Sequence, residues 1–295
     1  MKKWLEAFSR HLLQTRKVAH NTHESYLRDV EAYLAYLEAE GIKHFGCTTQ
    51  NDIQTYFATL EKQGRAYSTL SRHLSALKAF YMFLWEQHVV SGNPCAHISL
   101  PKVVKEEPRS LTPEEIDRLL KMPDPHTLQG QRDQAMLELL YASGIRVTEL
   151  VLLNVTDVNR KLGVLTCRGT QGWERVIPLG QSAIASMDKY LTQTRPQLLK
   201  SHQDAALFIN MRGRRLTRQG FWKIIKKYGT ACGLGHKLTP NTLRHSFASH
   251  MLNSGADLRV VQELMGHADL ATTQTYVGLN RARIKDTYLK YHPRA

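Results

Sequence analysis

The chain has 295 residues, 42% of them hydrophobic and 22% charged, and its 40 Lys and Arg against 26 Asp and Glu give a formal net charge of +14. That apolar content supports one large or two ordinary folded domains and excludes an intrinsically disordered chain. No uninterrupted apolar stretch could span a bilayer, and the start Met1-Lys2-Lys3 runs into Glu6 and Arg10 without the apolar core of a secretory signal, so a cytoplasmic protein is expected.

Residues 1–98 read as four amphipathic helices. The first, Lys3 to Leu13, is short. Asn21 is placed to cap the second, with Glu24 three residues on, and Tyr26, Val30, Tyr33, Leu34 and Leu37 then share a face until Gly41. The third runs from about Gln50 through Ile53, Tyr56, Phe57 and Leu60 to Gly64. The fourth starts at Ser68 and carries Leu70, Leu74, Leu77, Tyr81 and Leu84. These aromatics fall at helical spacing and are assigned to a core rather than to a base-stacking surface.

Ser91-Gly92-Asn93-Pro94 ends the bundle, and residues 99–110, with two prolines, mixed charge and no periodicity, form a linker. Thr112-Pro113-Glu114-Glu115 supplies cap, proline and carboxylate in the order a helix start requires, opening a second domain, 111–295. Within it, Gly163 to Arg168 and Glu174 to Pro178 read as short strands joined by a turn around 169–172, and Leu207-Phe208-Ile209 is a candidate third strand. Helices are expected at 181–195, 217–232, 240–253 and 258–265. The fold class is mainly α (α+β): a four-helix N-terminal domain, then a mostly helical domain with a small antiparallel β-sheet.

Residues 1–107 hold 13 Lys/Arg and 11 Asp/Glu, a net +2, whereas 108–295 hold 27 and 15, a net +12. No run of like charges marks a disordered tail, so a folded, basic groove for a polyanion is expected in the second part. Cys47, Cys95, Cys167 and Cys232 have neither paired nor metal-finger spacing and read as buried free thiols, with no disulfide and no metal site.

Gly144 lets a helix end within Ala142-Ser143-Gly144-Ile145-Arg146-Val147-Thr148-Glu149-Leu150, presenting Arg146. Thr239-Pro240 starts a helix that carries Arg244 in its second turn; Gly266 closes the 258–265 helix and presents His267, and Tyr276 follows nine residues later. Taken singly, Arg146 reads as a solvated residue, Arg244 as a helix-surface ion-pair partner, His267 as structural and Tyr276 as core. Together they supply the means of attacking a phosphodiester. Tyrosine is a weak nucleophile at neutral pH and becomes useful only where cations hold the phosphorus and neutralise its oxygens.

Those motifs, with Thr239-Pro240-Asn241-Thr242-Leu243-Arg244-His245-Ser246-Phe247-Ala248, Leu264-Met265-Gly266-His267 and Thr272-Thr273-Gln274-Thr275-Tyr276, closely resemble the tyrosine site-specific recombinases, and in particular the bacterial Xer group. The likeness extends over almost the whole chain. It implies that residues 1–98 form a core-binding domain on DNA and that Tyr276 attacks a scissile phosphate to give a 3′-phosphotyrosine and a free 5′-hydroxyl. Arg146 and Arg244 would hold the non-bridging oxygens and His267 would donate to the same phosphoryl group. No metal, ATP or other cofactor would be needed. The implied partners are a double-stranded recombination site, a homo- or hetero-tetramer with a second Xer-type recombinase, and a DNA-translocating cell-division protein. Residues near 281–295 are the candidate inter-subunit tail, and chromosome-dimer resolution is the expected role.

Two positions depart from the family pattern. Arg168 stands where the family places a lysine that protonates the leaving 5′-oxygen, before a turn two residues longer, and arginine is a poor proton donor. Asn241 stands where the family has a histidine, and an amide cannot shuttle a proton near pH 7. Slow cleavage is therefore expected. Three accounts are open: Arg168 contributes electrostatically, Lys161 substitutes for the acid, or the chain has drifted toward binding without turnover. Glu149 either buttresses Arg146 and its backbone or is a plain surface carboxylate. A phage or mobile-element integrase shares the chemistry; such enzymes often carry an arm-binding domain, of which no sign is seen.

Overall fold

The structure, a computed structural model, describes residues 1–100, 110–169, 174–199, 203–266 and 281–294. It divides into two compact units, Met1–Lys105 and Glu106–Ala295. Most of the expected linker lies outside the described residues.

The first unit is built on α1 (Lys2–Gln14), α2 (His20–Ala39), α3 (Gln50–Lys62) and α4 (Tyr67–Glu86). The apolar faces meet in one core containing Phe8, Leu12, Tyr33, Leu37, Ile53, Tyr56, Leu77, Phe80, Tyr81 and Leu84. The aromatics are thus packing groups, and burial leaves their hydroxyls needing partners: Tyr33 and Tyr81 pair at 2.8 Å, while Tyr56 meets Nδ1 of His73 at 3.2 Å. Asp29, buried on α2, accepts both arms of Arg72 at 2.7 and 2.8 Å and lies 3.0 Å from Nε2 of His73. Asn21 does not cap α2. The helix already begins at His20, and extended Ala19 sets its entry without a side-chain bond. Thr49 does cap α3, reciprocally with Asp52.

The second unit opens as the sequence signals, with Thr112 and Glu115 closing a capping box on α5 (Pro113–Lys121). Its centre is α6 (Leu128–Ser143), buried over most of its circumference. Charges inside α6 are paired: Arg132 donates through Nε and NH2 to Asp133, whose other oxygen accepts from Tyr228 at 2.9 Å. α7 (Val147–Leu152) follows, then a three-stranded antiparallel sheet, β1 (Val158–Asn159), β2 (Val164–Arg168) and β3 (Glu174–Pro178), in that order. The candidate strand at 207–209 is not part of it. Those side chains are buried, and the segment makes only isolated bridges, Asn154 with Ala206 and Ile209 with Arg215, while Val158–Asn159 takes the sheet edge.

Beyond the sheet, α8 (Gln181–Lys189) runs through a π-helical turn at Tyr190–Thr194 into α9 (Arg195–Leu199). Then come α10 (Arg218–Ala231), α11 (Pro240–Asn253), α12 (Leu258–Met265) and α13 (Arg281–Tyr291). The C-terminal segment docks on its own unit. Tyr288 is buried and accepts from the Gly180 amide at 3.2 Å, His292 stacks on it at 4.7 Å, and Arg294 pairs with Glu138 and with Asp117 at 2.8 Å. Cys95, Cys167 and Cys232 are buried, but Cys47 is exposed, since its short 3₁₀ turn buries Phe45 instead. No described helix is long and apolar enough to cross a membrane.

Candidate active site

Gly144 leaves α6 with φ of 57°, a conformation strained for L side chains, and a Cβ there would stand 2.4 Å from the Phe247 ring. Only glycine fits, and the chain turns at once to set Arg146 at the start of α7. Glu149, three residues on, accepts the Arg146 amide at 2.7 Å and is 9% exposed; it is a buttress and not a surface carboxylate. Arg244, in the second turn of α11, is buried and donates to the carbonyls of Gly144 and, at 2.7 Å, Met265. Its predicted alternative as a helix-surface ion-pair partner therefore fails.

The end of α12 gathers the cations. Leu264 O accepts Nε of Arg175 at 2.9 Å, Met265 O accepts Arg244, and Gly266 O accepts NH2 of Arg146 at 3.0 Å. Three consecutive carbonyls, each held by a different arginine, use both the unsatisfied acceptors and the negative pole of a helix C-terminus. Burial, and then the repulsion of Arg146, push the Arg244 pKa down to about 10, still a cation at neutral pH. Burial alone would raise the Glu149 carboxyl, but hydrogen bonds from Arg175 and the Arg146 amide bring it below its ordinary value. A pair of guanidiniums with a buttressing carboxylate can hold the oxygens of a phosphodiester.

The family model for the phage integrase family matches residues 109–283, and that for the phage integrase N-terminal SAM-like domain matches 5–88. The chain belongs to the phage integrase family. It is 43% identical to tyrosine recombinase XerD of Oceanobacillus iheyensis over 99% of this chain and 98% of that one, and 44% identical to tyrosine recombinase XerC of Roseiflexus sp. over 94% and 90%. Its fold is similar to that of XerH site-specific recombinase, solved in a pre-cleavage complex with difH substrate: TM-score 0.71 at 17% identity, over 96% of this chain and 94% of that one. It is a site-specific tyrosine recombinase, an enzyme that cleaves and rejoins DNA.

In this recombinase Arg146 and Arg244 come together, but Arg168 is engaged elsewhere. It is exposed at the end of β2, with Nε donating to Glu174 at 2.7 Å and NH1 at 3.7 Å from Asp157. Those carboxylates hold its pKa above the ordinary arginine value, the hydrogen bond to Glu174 contributing most, which makes proton donation harder still. Asn241 is exposed in the first turn of α11, one turn before Arg244. Lys161 is exposed in the turn between β1 and β2. His267, Tyr276 and the turn residues 170–173 lie outside the described residues.

Sequence reasoning missed two features. Arg175 occupies an inward position of β3, between exposed Glu174 and Val176, and a cation on the inner side of an alternating strand was the available signal. The second is a run without any Asp or Glu from 205 to 256, containing exposed Arg212, Arg214, Arg218, Lys223, Lys226 and Lys227. Clustering of cations would have located the basic surface that overall charge only implies.

Proposed function

We propose that this recombinase acts at a double-stranded recombination site through Tyr276, Arg146, Arg244 and His267. The Tyr276 phenol loses its proton and attacks phosphorus; the P–O5′ bond breaks, a 3′-phosphotyrosine forms, and the 5′-oxygen leaves as a hydroxyl once protonated. The bond's free energy is retained, so a 5′-hydroxyl from another strand reverses the attack without ATP. Arg146 and Arg244 bind the non-bridging oxygens, and His267 donates to the same group. The observation that carries this reading is the pair of guanidiniums on adjacent carbonyls, Met265 and Gly266, at the end of the helix that leads into His267.

Residues 1–98 act as the core-binding domain and 111–295 as the catalytic domain, with 99–110 between them. The exposed cations of 212–227 supply phosphate contacts that set register and add affinity. The working assembly is a tetramer with a second Xer-type recombinase, in which the 281–295 segment exchanges between subunits, and the role is chromosome-dimer resolution with a DNA-translocating division protein. Family membership and the XerD and XerC relatives support this role over that of a mobile-element integrase.

Arg168 and Asn241 favour a second reading, a recombinase homologue that binds with weakened turnover. A nicked suicide duplex that traps the covalent intermediate separates the two. An active enzyme gives a protein–DNA adduct that Tyr276→Phe lacks. Band shifts without adduct from either protein would leave only the binding reading.

A further inference from the structure

Arg175 faces Cys167 across the β2–β3 ladder and is 15% exposed. Its NH1 and NH2 donate to the two oxygens of Glu149 at 2.8 and 3.0 Å, and its Nε donates to Leu264 O at 2.9 Å. Gly266 makes the room, because a Cβ there would lie 2.7 Å from NH1 of Arg175 and 2.9 Å from its Cζ. The same carboxylate is close to a second arginine: Oε1 of Glu149 stands 3.5 Å from NH1 of Arg146. A carboxylate's most favourable partner is a guanidinium that takes both oxygens in a fork. Arg175 has the fork. Arg146 is left 44% exposed, with one arm on Gly266 O.

We propose that Arg175 is a positioning residue for DNA cleavage: by taking both oxygens of Glu149 in its fork it limits that carboxylate to one 3.5 Å contact with the edge of the Arg146 guanidinium, whose remaining donors stay open to the substrate phosphate. The inference rests on the recombinase reading of Arg146. Without Arg175, Glu149 becomes a largely buried anion whose adjacent guanidinium belongs to Arg146, and the unfavourable solvation of a lone buried charge drives it there. A phosphate would then have to break a forked, half-buried ion pair before it could bind. Arg175 could instead be a plain staple joining β3, α7 and α12, and the two roles differ in what a second substitution does.

The test is a four-cornered cycle of wild type, Arg175→Ala, Glu149→Gln and the double variant. It uses a duplex selected from a randomised pool on the Tyr276→Phe protein and then nicked for single-turnover cleavage. Arg175→Ala is expected to slow cleavage on the order of a hundredfold, as small misplacements of binding groups do, while overall duplex affinity holds. Neutralising Glu149 in that background is expected to restore about tenfold or more. A staple predicts a double variant no faster than Arg175→Ala, and that result overturns the proposal. Arg175→Lys, which cannot fork, should fall between. If Arg175→Ala does not fold, Arg175→Gln takes its place.

A readout independent of turnover uses the Tyr276→Phe background and the ratio of affinities for a scissile phosphate and a neutral methylphosphonate. The ratio should narrow in Arg175→Ala and widen again in the double variant. If Tyr276→Phe discriminates and Arg175→Ala discriminates equally, this inference alone falls. If no protein binds any duplex, the proposed function falls and takes this inference with it.

Discussion

Arg244 is a buried cation whose hydrogen bonds go to carbonyls and whose charge is opposed by burial and by Arg146. Replacing it with glutamine removes an unfavourably solvated charge but gives up part of the hydrogen bonding to the Gly144 and Met265 carbonyls, so those two effects offset each other. Cleavage should fall by about 100- to 1,000-fold, the scale for losing a preorganised donor to a developing oxyanion. The melting temperature should stay within about 5 °C, equivalent to roughly 1–2 kcal/mol for a unit of this size; a much larger drop would make Arg244 chiefly a structural strut. Arg168 poses the converse question: if it stands in place of the acid for the leaving oxygen, protonation limits cleavage. A duplex with sulfur at the 5′-bridging position departs as a thiolate and needs no proton, so it should be cleaved about 100- to 10,000-fold faster than its oxygen counterpart. Arg168→Lys should narrow that gap, and equal rates on both duplexes in the wild type would show that protonation is not limiting. At this scale the sequence was legible where a residue sits in a motif: Gly144 and Thr239-Pro240 placed Arg146 and Arg244, whereas Glu149 stayed open between buttress and surface carboxylate until its bond to the Arg146 amide was seen. Arg175 was not legible, because its partners Glu149 and Leu264 lie 26 and 89 residues away and only the folded sheet brings them together.

Among the elements, those with one apolar stripe or a cap signal were readable, as the reciprocal Thr112–Glu115 bonds of α5 and the bounds of α11 and α12 attest. Of α6 only the end at Gly144 was read, because a helix buried all round has no stripe to mark its extent, and the run at 207–209 misled because burial on all sides resembles a core strand. α13 carries a pH dependence that only the structure reveals. Its neighbour His292 stacks on Tyr288 and packs near Tyr141 and Phe247, at 5.2 and 5.6 Å between rings. Burial first, with Arg294 adding repulsion, lowers the His292 pKa from 6.5 to about 4. The docked tail therefore favours the neutral ring, and the stabilisation is complete above 6.5 and is lost as the pH falls toward 4. Arg294, Glu138, Asp117 and His250 face the same region, so their responses must be separated from that of His292. Amide exchange at Tyr288 measured at about pH 7.5 and about pH 5 should show the tail loosening in acid, with His292→Phe flattening the difference. An unchanged acid response in that variant would assign the effect to the Arg294 pairs instead.

For the molecule as a whole, the contrast between residues 1–107 at +2 and residues 108–295 at +12 was visible in the charge distribution, whereas the location of the basic surface needed burial to separate used from unused cations. Arg215 illustrates the difference. It belongs to the same basic run, yet its guanidinium caps α7 through the carbonyls of Val151 and Leu153, both at 2.9 Å, and so is committed within the fold. The six exposed cations of 212–227 have no acidic residue in sequence from 205 to 256 to neutralise them. If each neutralises one DNA phosphate, they contribute about −5 to the slope of log affinity against log salt, and affinity drops about a thousandfold between 50 and 200 mM salt. Lys223, Lys226 and Lys227 share α10 at helical spacing, so one duplex surface can meet all three. Their joint replacement by glutamine should weaken binding about equally on every sequence and reduce the slope by about three, one per lost phosphate contact. Titrating a labelled duplex at several salt concentrations measures both quantities, and a slope that survives the triple substitution would move the phosphate contacts away from α10.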